Sequence, residues 1–194
     1  MPPPSVVLGV VSALAVLSAS MALAQTGNAP PGVYEPKAVV QSPPLRVEVI
    51  DGTRFRDVES KEVYQLYGID TCAPGQTARL KRQPWPCGTM ATAWLVTATL
   101  NAWLACRTLR DEASEHLARC SSAGHPDIAA DMVRDGIAVA RLPTPEDPGV
   151  RAYAAAEQDA RKAYRGLWSS TFQMPWDWRA KTDPSRAAQR GATP

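Results

Sequence analysis

Four cysteines and their spacing limit the folds that this chain can adopt. None of them stands in a C-x-x-C pair, and the two histidines, His116 and His125, complete no zinc-binding pattern. Cysteines without metal-ligand spacing are typical of disulfides when the protein is exported. We therefore expect two disulfides, and arithmetic leaves three pairings open among Cys72, Cys87, Cys106 and Cys120.

The amino-terminal end of the chain predicts that export. An apolar run spans Val6–Ala24 and closes on Ala-Leu-Ala, a pattern typical of signal-peptidase cleavage before Gln25. No Lys or Arg precedes the run, so the amino terminus supplies the only positive charge there. We expect residues 1–24 to be a signal peptide and the protein to be periplasmic or secreted. The alternative is that residues 6–24 stay in the membrane as an anchor.

Length and composition indicate one domain with two tails. The chain has 194 residues, of which 45% are hydrophobic, enough for one core and too few for two ordinary ones. Residues 25–44 are rich in Pro, Gly and small polar residues and predict an extended linker, while residues 180–194 predict a disordered tail. The folded domain is expected over residues 45–179. The net charge of +2 is too small to indicate a nucleic-acid partner.

Periodicity predicts strands first and helices later. Apolar residues alternate with polar ones on both sides of Asp51-Gly52, which indicates a hairpin, and Val63–Ile69 indicates a third strand. A segment rich in turn residues, Thr71–Gly88, reads as a long loop. Helical spacing then predicts a helix over 90–100, and two further strands fit Trp103–Thr108 and His116–Ser121.

Two helices complete the pattern, a short one over Ile128–Asp135 and a long one over Gly149–Arg165, each followed by a glycine that can end it. Five short strands with one helix inserted and two helices at the end suit a small closed barrel. The expected class is therefore α+β, mainly β, with a five-stranded OB-fold barrel and about three helices.

Several sequence blocks, in order, carry a resemblance to a known family. Val49-Ile50-Asp51-Gly52, Leu66-Tyr67-Gly68-Ile69-Asp70, Gln76 and Trp85-Pro86-Cys87-Gly88 resemble the thermonuclease, or staphylococcal-nuclease-like, run V-x-D-G-D-T, R-L-x-G-I-D-A-P-E, Q and W-P-C-G. The later blocks Arg165-Gly166-Leu167-Trp168 and Pro175-Trp176-x-Trp178-Arg179 are also similar. The resemblance implies an OB-fold and calcium-dependent hydrolysis of phosphodiester bonds in DNA or RNA.

The residues that the family uses for this chemistry are mostly replaced. The resemblance places the first metal carboxylate on Thr53, the two phosphate-binding arginines on Gln65 and Glu115, and the general base on Ala73. Only Asp70, the second metal carboxylate, is kept, and Thr71 follows it where the family supplies a carbonyl oxygen. Asp70 and Thr71 would be the remnant of a metal site.

These losses argue against catalysis. Removing a general base costs about 10² to 10⁴ in rate, and removing an arginine on a transferring phosphoryl group costs about 10³ to 10⁵. One carboxylate is also a poor calcium site, because calcium takes about six to eight oxygen ligands. We therefore expect no enzymatic activity and no cofactor. The alternative is a calcium-dependent endonuclease of weak or relocated activity.

Each remaining candidate also has a plain structural interpretation. Asp70 can simply cap a turn. Glu115 and His116 form either a new acidic site or a solvated pair, and the charged residues of 54–62 form either a displaced catalytic cluster or an exposed hairpin. The tryptophans Trp168, Trp176 and Trp178 form either a platform for stacking bases or a strap packed on the barrel. In all four cases we favour the structural interpretation.

The predicted topology also selects a cysteine pairing. Cys106 and Cys120 fall on strands expected to be neighbours, and Cys72 with Cys87 would close the long loop. For function, three classes remain: a non-catalytic binding module, a structural subunit of a cell-envelope assembly, and a weak nuclease. The partner would be an envelope protein or ligand whose identity the sequence does not give, and a membrane only if the amino-terminal segment is kept.

Overall fold

A computed structural model describes residues 42–112, 114–141 and 148–182 of the chain. The predicted signal peptide, the predicted linker up to residue 41 and residues 183–194 lie outside the described residues. The strands are β1 (Val47–Val49), β2 (Arg54–Asp57), β3 (Val63–Leu66), β4 (Ile69–Thr71), β5 (Ala78–Leu80), β6 (Gln83–Trp85), β7 (Ala105–Glu112), β8 (Glu115–Ser121) and β9 (Ala138–Ala140). The helices are α1 (Cys87–Thr99), α2 (Ile128–Arg134), α3 (Pro148–Lys162) and α4 (Pro175–Thr182), with a 3-10 helix at Gly166–Ser169.

The main sheet has five strands in the order β1-β2-β3-β8-β7. Neighbouring strands are antiparallel except β3 and β8, which run parallel. This confirms the predicted α+β class and is consistent with the OB-fold, a partly open Greek-key barrel. The expected closed barrel is wrong in one respect: the sheet is not closed, because β1 does not pair with β7, and the segment before β1 contacts that edge through a bridge between Leu45 and Leu104 and a hydrogen bond from the Ser42 amide to the Cys106 carbonyl.

The third predicted strand and the long loop differ from the prediction in detail. Val63–Ile69 is not one strand, because Gly68 has a φ of +78° and turns the chain between β3 and β4. The predicted loop Thr71–Gly88 contains the hairpin of β5 and β6. Strands of three residues show too little alternation to be predicted, which explains why the sequence pattern missed them.

Two hydrophobic clusters form the core. The larger one lies between the main sheet and helices α1, α2 and α3, and its fully buried side chains include Phe55, Leu66, Leu95 and Tyr153. The smaller one gathers the Cys72–Cys87 region with residues near the carboxyl end, and it is formed by Cys72, Ala78, Cys87, Val139 and Leu167, with Trp85, Trp168, Phe172, Met174 and Trp176 packed against it. Trp168 and Trp176 thus pack as a strap on the domain.

Polar contacts fix the second helix against the third. Asp127 caps α2 by accepting a hydrogen bond from the Ala130 amide at 3.1 Å, and it also accepts bonds from the Tyr153 hydroxyl and the Arg119 guanidinium. Burial raises the pKa of Tyr153 well above its ordinary value, and the charge of Asp127 adds to that increase. The neutral hydroxyl therefore remains a donor, and the contact joins α3 to the start of α2.

The cysteines pair as the predicted topology required. Disulfides join Cys72 to Cys87 and Cys106 to Cys120, and Cys106 and Cys120 lie opposite each other on β7 and β8. Within residues 42–112, 114–141 and 148–182 no helix is long and apolar enough to cross a membrane.

Candidate functional site

A cavity of about 630 Å³ opens beside the main sheet, where it is lined by the start of β2, the end of β3, the end of β7 and the start of β8. Its far side is formed by the chain from Tyr67 to Pro74, by Arg141 after β9 and by Arg179 of α4. Its charged lining residues are four carboxylates and four arginines: Asp51, Asp70, Glu112, Glu115, Arg54, Arg110, Arg141 and Arg179.

The structure brings all the sequence-predicted site residues to this cavity. They line it together although they come from four separate segments: Thr53, Gln65, Asp70 with Thr71 and Ala73, and Glu115. Two pairings explain the convergence. Gln65 lies opposite Arg54 on β2, and the parallel pairing of β3 with β8 sets Glu115 beside Val63. The matched positions therefore occupy one site, as an intact family enzyme would require.

Arg54 organises the wall formed by β2 and β8. Its guanidinium donates to Asp51 at 2.8 Å and to Glu115 at 3.0 Å. Asp51 also accepts the amides of Thr53 and Arg54 and the Thr53 hydroxyl, so that its carboxylate closes the turn before β2. Burial lowers the pKa of Arg54, but the hydrogen bonds and charges of Asp51 and Glu115 outweigh this and raise it above its ordinary value.

Asp70 organises the opposite wall and is itself buried. One carboxylate oxygen accepts the amide of Thr71 at 2.9 Å, the local bond expected of a turn cap. The other oxygen accepts from two guanidiniums, that of Arg141 at 3.3 Å and that of Arg179. The Arg141 guanidinium also lies over the ring of Trp176, 6.0 Å from its centroid. Arginines thus surround the one carboxylate that the family would use for metal.

The position of Ala73 is fixed by its neighbours. Its amide donates to the Gln76 side chain at 3.0 Å, and the amide group of Gln76 donates in turn to the Gln173 carbonyl at 2.7 Å. The start of α1 packs so tightly on this loop that a Cβ at Gly88 would overlap the Ala73 carbonyl. Together with the adjacent disulfide at Cys72, these contacts hold the backbone where the general base would stand.

A protein-family model, that of the staphylococcal nuclease homologue, matches residues 64–170 of the chain. The chain belongs to this family. The match covers Gln65, Asp70, Ala73 and Glu115, whereas Thr53 lies before it. No curated protein matches the chain at a significant level.

The resemblance to the staphylococcal nuclease homologue family implies a calcium ion, so the cavity can be compared with what calcium requires. Across the described ranges 42–112, 114–141 and 148–182, no three His, Cys, Asp or Glu side chains gather closely enough to hold a metal ion. In the cavity, Asp70 faces two arginines and Asp51 faces Arg54. The residues present therefore do not fit a calcium ion, because the cavity carboxylates Asp51 and Asp70 already pair with arginines.

The other sequence candidates lie apart from the cavity. His116 contacts Asp111 at 2.7 Å and Glu62 at 3.7 Å and packs on the ring of Tyr64, and neither His116 nor these two carboxylates line the cavity. Asp57 is buried and caps the turn after β2 by accepting the Ser60 amide at 2.8 Å. Of the charged hairpin residues, only Arg54 reaches the site.

Sequence reasoning missed several residues that shape the site, namely Asp51, Arg110, Glu112, Arg141 and Arg179. Two signals were present in the sequence. Asp51 stands in the Asp-Gly turn, where Asp commonly bonds to nearby amides, and Arg179 ends the aromatic block Trp176-x-Trp178-Arg179. Nothing in the sequence indicated that Arg141 would contact Asp70, since that contact depends on β9 pairing with β4.

Proposed function

We propose that this chain is an exported member of the staphylococcal nuclease homologue family whose cavity binds without cutting, and that it serves as a binding or structural module of the cell envelope. The observation that carries the proposal is the pairing of Asp70 with Arg141 and Arg179. The carboxylate at the family's metal position has guanidinium groups as its partners.

The charges of the site oppose both steps of the family reaction. A calcium ion at Asp70 would face two guanidiniums and would have to displace them, with Thr53 unable to add a second charged ligand. At the two arginine positions, Gln65 is neutral and Glu115 would repel a phosphate. Ala73 has no group that accepts a proton. Each loss alone lowers the rate by orders of magnitude, and the losses occur together.

The location follows from different observations. The apolar run Val6–Ala24 with its Ala-Leu-Ala end is typical of a signal peptide, and two disulfides fit an oxidising compartment. Both support a periplasmic or secreted protein, and retention of residues 6–24 would make it a membrane-anchored one.

The test is cleavage of heat-denatured DNA and of RNA by the purified protein from Gln25 to Pro194, with calcium and with chelator. We expect no calcium-dependent product, and the same background from Asp70→Ala. A working nuclease of the family in the same buffer serves as the positive control. Calcium-dependent cleavage that Asp70→Ala abolishes would show that the chain is a nuclease of weak activity.

A further inference from the structure

The two walls of the cavity carry opposite net charge. On the wall of β2 and β8, one guanidinium, Arg54, serves two carboxylates, Asp51 and Glu115. On the opposite wall two guanidiniums, Arg141 and Arg179, serve the single carboxylate Asp70. The remaining charged lining residues, Arg110 and Glu112, lie 3.6 Å apart and balance each other. The cavity is therefore neutral in sum, with a negative and a positive side.

The positive side retains hydrogen-bonding capacity. A guanidinium has five N–H donors. Within the described part of the chain, the guanidiniums of Arg141 and Arg179 each donate one hydrogen bond, and both bonds go to the same Asp70 oxygen. Their side chains are 44% and 25% exposed. Asp70 itself is 8% exposed and holds both groups in place. The arginines thus form a fixed pair of donors that converges at the cavity wall.

The negative side has a matching acceptor. Both oxygens of Asp51 are engaged by neighbouring donors, whereas the Arg54 contact of Glu115 uses Oε1. Glu115 is 25% exposed and is held by that contact, so its second oxygen can accept from a cationic group in the cavity. Gln65 of β3, which lies opposite Arg54, also lines the cavity and offers a neutral amide.

We propose that the cavity binds a small zwitterion, with its oxyanion, a carboxylate or phosphate, on Arg141 and Arg179 and its ammonium group on Glu115. A volume of about 630 Å³ suits a small molecule. The negative side of the cavity would repel a polyanion such as nucleic acid, and the positive side would repel a ligand that is only a cation. The inference rests on the proposed non-catalytic function and names the ligand of that same site.

The test uses matched probes that differ by one charged group. The series are 5-aminopentanoate, pentanoate and pentylammonium, and then 3-aminopropyl phosphate with propyl phosphate. Binding is measured from ¹H–¹⁵N NMR shifts of the purified chain. In at least one series we expect the zwitterion to bind about fivefold more tightly than each probe of that series that lacks one of its charged groups, the most that one exposed ion pair contributes. The larger shifts should fall on amides of residues 65–74.

Variants assign each end of the ligand. Arg141→Gln should weaken the zwitterion and the anion about fivefold and leave pentylammonium unchanged, whereas Glu115→Gln should weaken the zwitterion and pentylammonium and leave the anion unchanged. Arg107→Gln, an exposed arginine of β7 that does not line this cavity, is the matched control and should change nothing. Thermal unfolding checks that each variant is folded.

The outcomes separate this inference from the proposed function. If pentanoate and propyl phosphate bind as tightly as their zwitterions, or if no probe shifts the cavity amides, the zwitterion site is wrong even when the nuclease assay is negative. Calcium-dependent cleavage would overturn the proposed function whatever the probes do. The predicted charge preference with both variant effects supports the site.

Discussion

Arg54 and Phe55 are neighbours on β2, yet Arg54 faces the charged cavity and Phe55 faces the apolar core. The Phe55 side chain is fully buried in the larger core cluster and stacks on Tyr64 of β3, with ring centroids 6.0 Å apart. Arg54 faces the cavity, opposite Gln65 on the same strand pair. Because side chains alternate along a strand, one pair of strands builds the core with one set of residues and the site with the other.

The two faces of this strand pair show how the family fold can persist while residues at the catalytic positions change. The positions that the resemblance assigns to catalysis, such as Gln65 and Glu115, lie on the cavity side, where a substitution removes little buried apolar surface. The positions that specify the sheet, such as Phe55 and Leu66, remain large and apolar. The core therefore places little constraint on cavity positions such as Gln65 and Glu115, whereas Leu66, Ile69 and Cys72 line the cavity and also belong to the core.

The largest difference in the free energy of unfolding should be found between one substitution on the core side of this strand pair and one on its cavity side. Phe55→Ala should lower the free energy of unfolding by about 3 to 5 kcal/mol, because it leaves a cavity in the core. Gln65→Ala should change it by less than about 0.5 kcal/mol. Denaturant unfolding of both variants measures the contrast, and similar losses from the two would show that the cavity side also supports the fold.

Removal of each disulfide is the next comparison, since the paired cysteines are separated by 15 and 14 residues and close rings of similar size. The double variant Cys72→Ala, Cys87→Ala and the double variant Cys106→Ala, Cys120→Ala should each lose about 3 kcal/mol of stability.

The two disulfides should differ in their effect on the site. Only loss of Cys72–Cys87 should speed hydrogen exchange at the amides of Ala73 and Gln76, because β7 and β8 remain paired around the other bridge. Faster exchange at these amides in both double variants would show that the loop depends on the whole sheet.

Asp57 should give the smallest effect, one that depends on pH. Burial raises the pKa of Asp57, but hydrogen bonds from the Ser60 amide and neighbouring turn residues outweigh it and lower the pKa below its ordinary value of 3.8. The ionised group therefore stabilises the fold above that value, and the contribution is lost as the pH falls through the folded-state pKa. Asp57→Asn should cost about 1 kcal/mol at pH 7 and less near pH 2. Equal losses at both pH values would contradict this.

The sequence predicted the parts of the fold that depend on local pattern. The strands around Asp51-Gly52, helix α2 and both cysteine pairs follow from alternation, helical spacing and the order of elements. The short hairpin β5–β6 and helix α4 are not predicted, because three-residue strands carry little pattern and a helix of eight residues has few turns in which helical spacing can show.

The site was predictable in part of its membership and not in its contacts. The family resemblance brought Thr53, Gln65, Ala73 and Glu115 to one place, because matched blocks preserve the order of strands. The partners of Asp70 were not predictable, since Arg141 and Arg179 reach it from sequence separations of 71 and 109 residues. Such contacts depend on how whole elements pack, which no local pattern encodes.

Restoring the family residues tests whether the cavity could still support catalysis or whether its surroundings prevent it. The combined variant is Thr53→Asp, Gln65→Arg, Ala73→Glu, Glu115→Arg, assayed on heat-denatured DNA with added calcium. Catalytic geometry tolerates about 0.5 Å of error. The Cys72–Cys87 bridge and the Gly88 contact hold residue 73 in its present place, and Arg141 and Arg179 still hold Asp70. We predict a folded protein that cleaves far more slowly than a working nuclease of the family, whereas a rate within about tenfold of that enzyme would contradict the account.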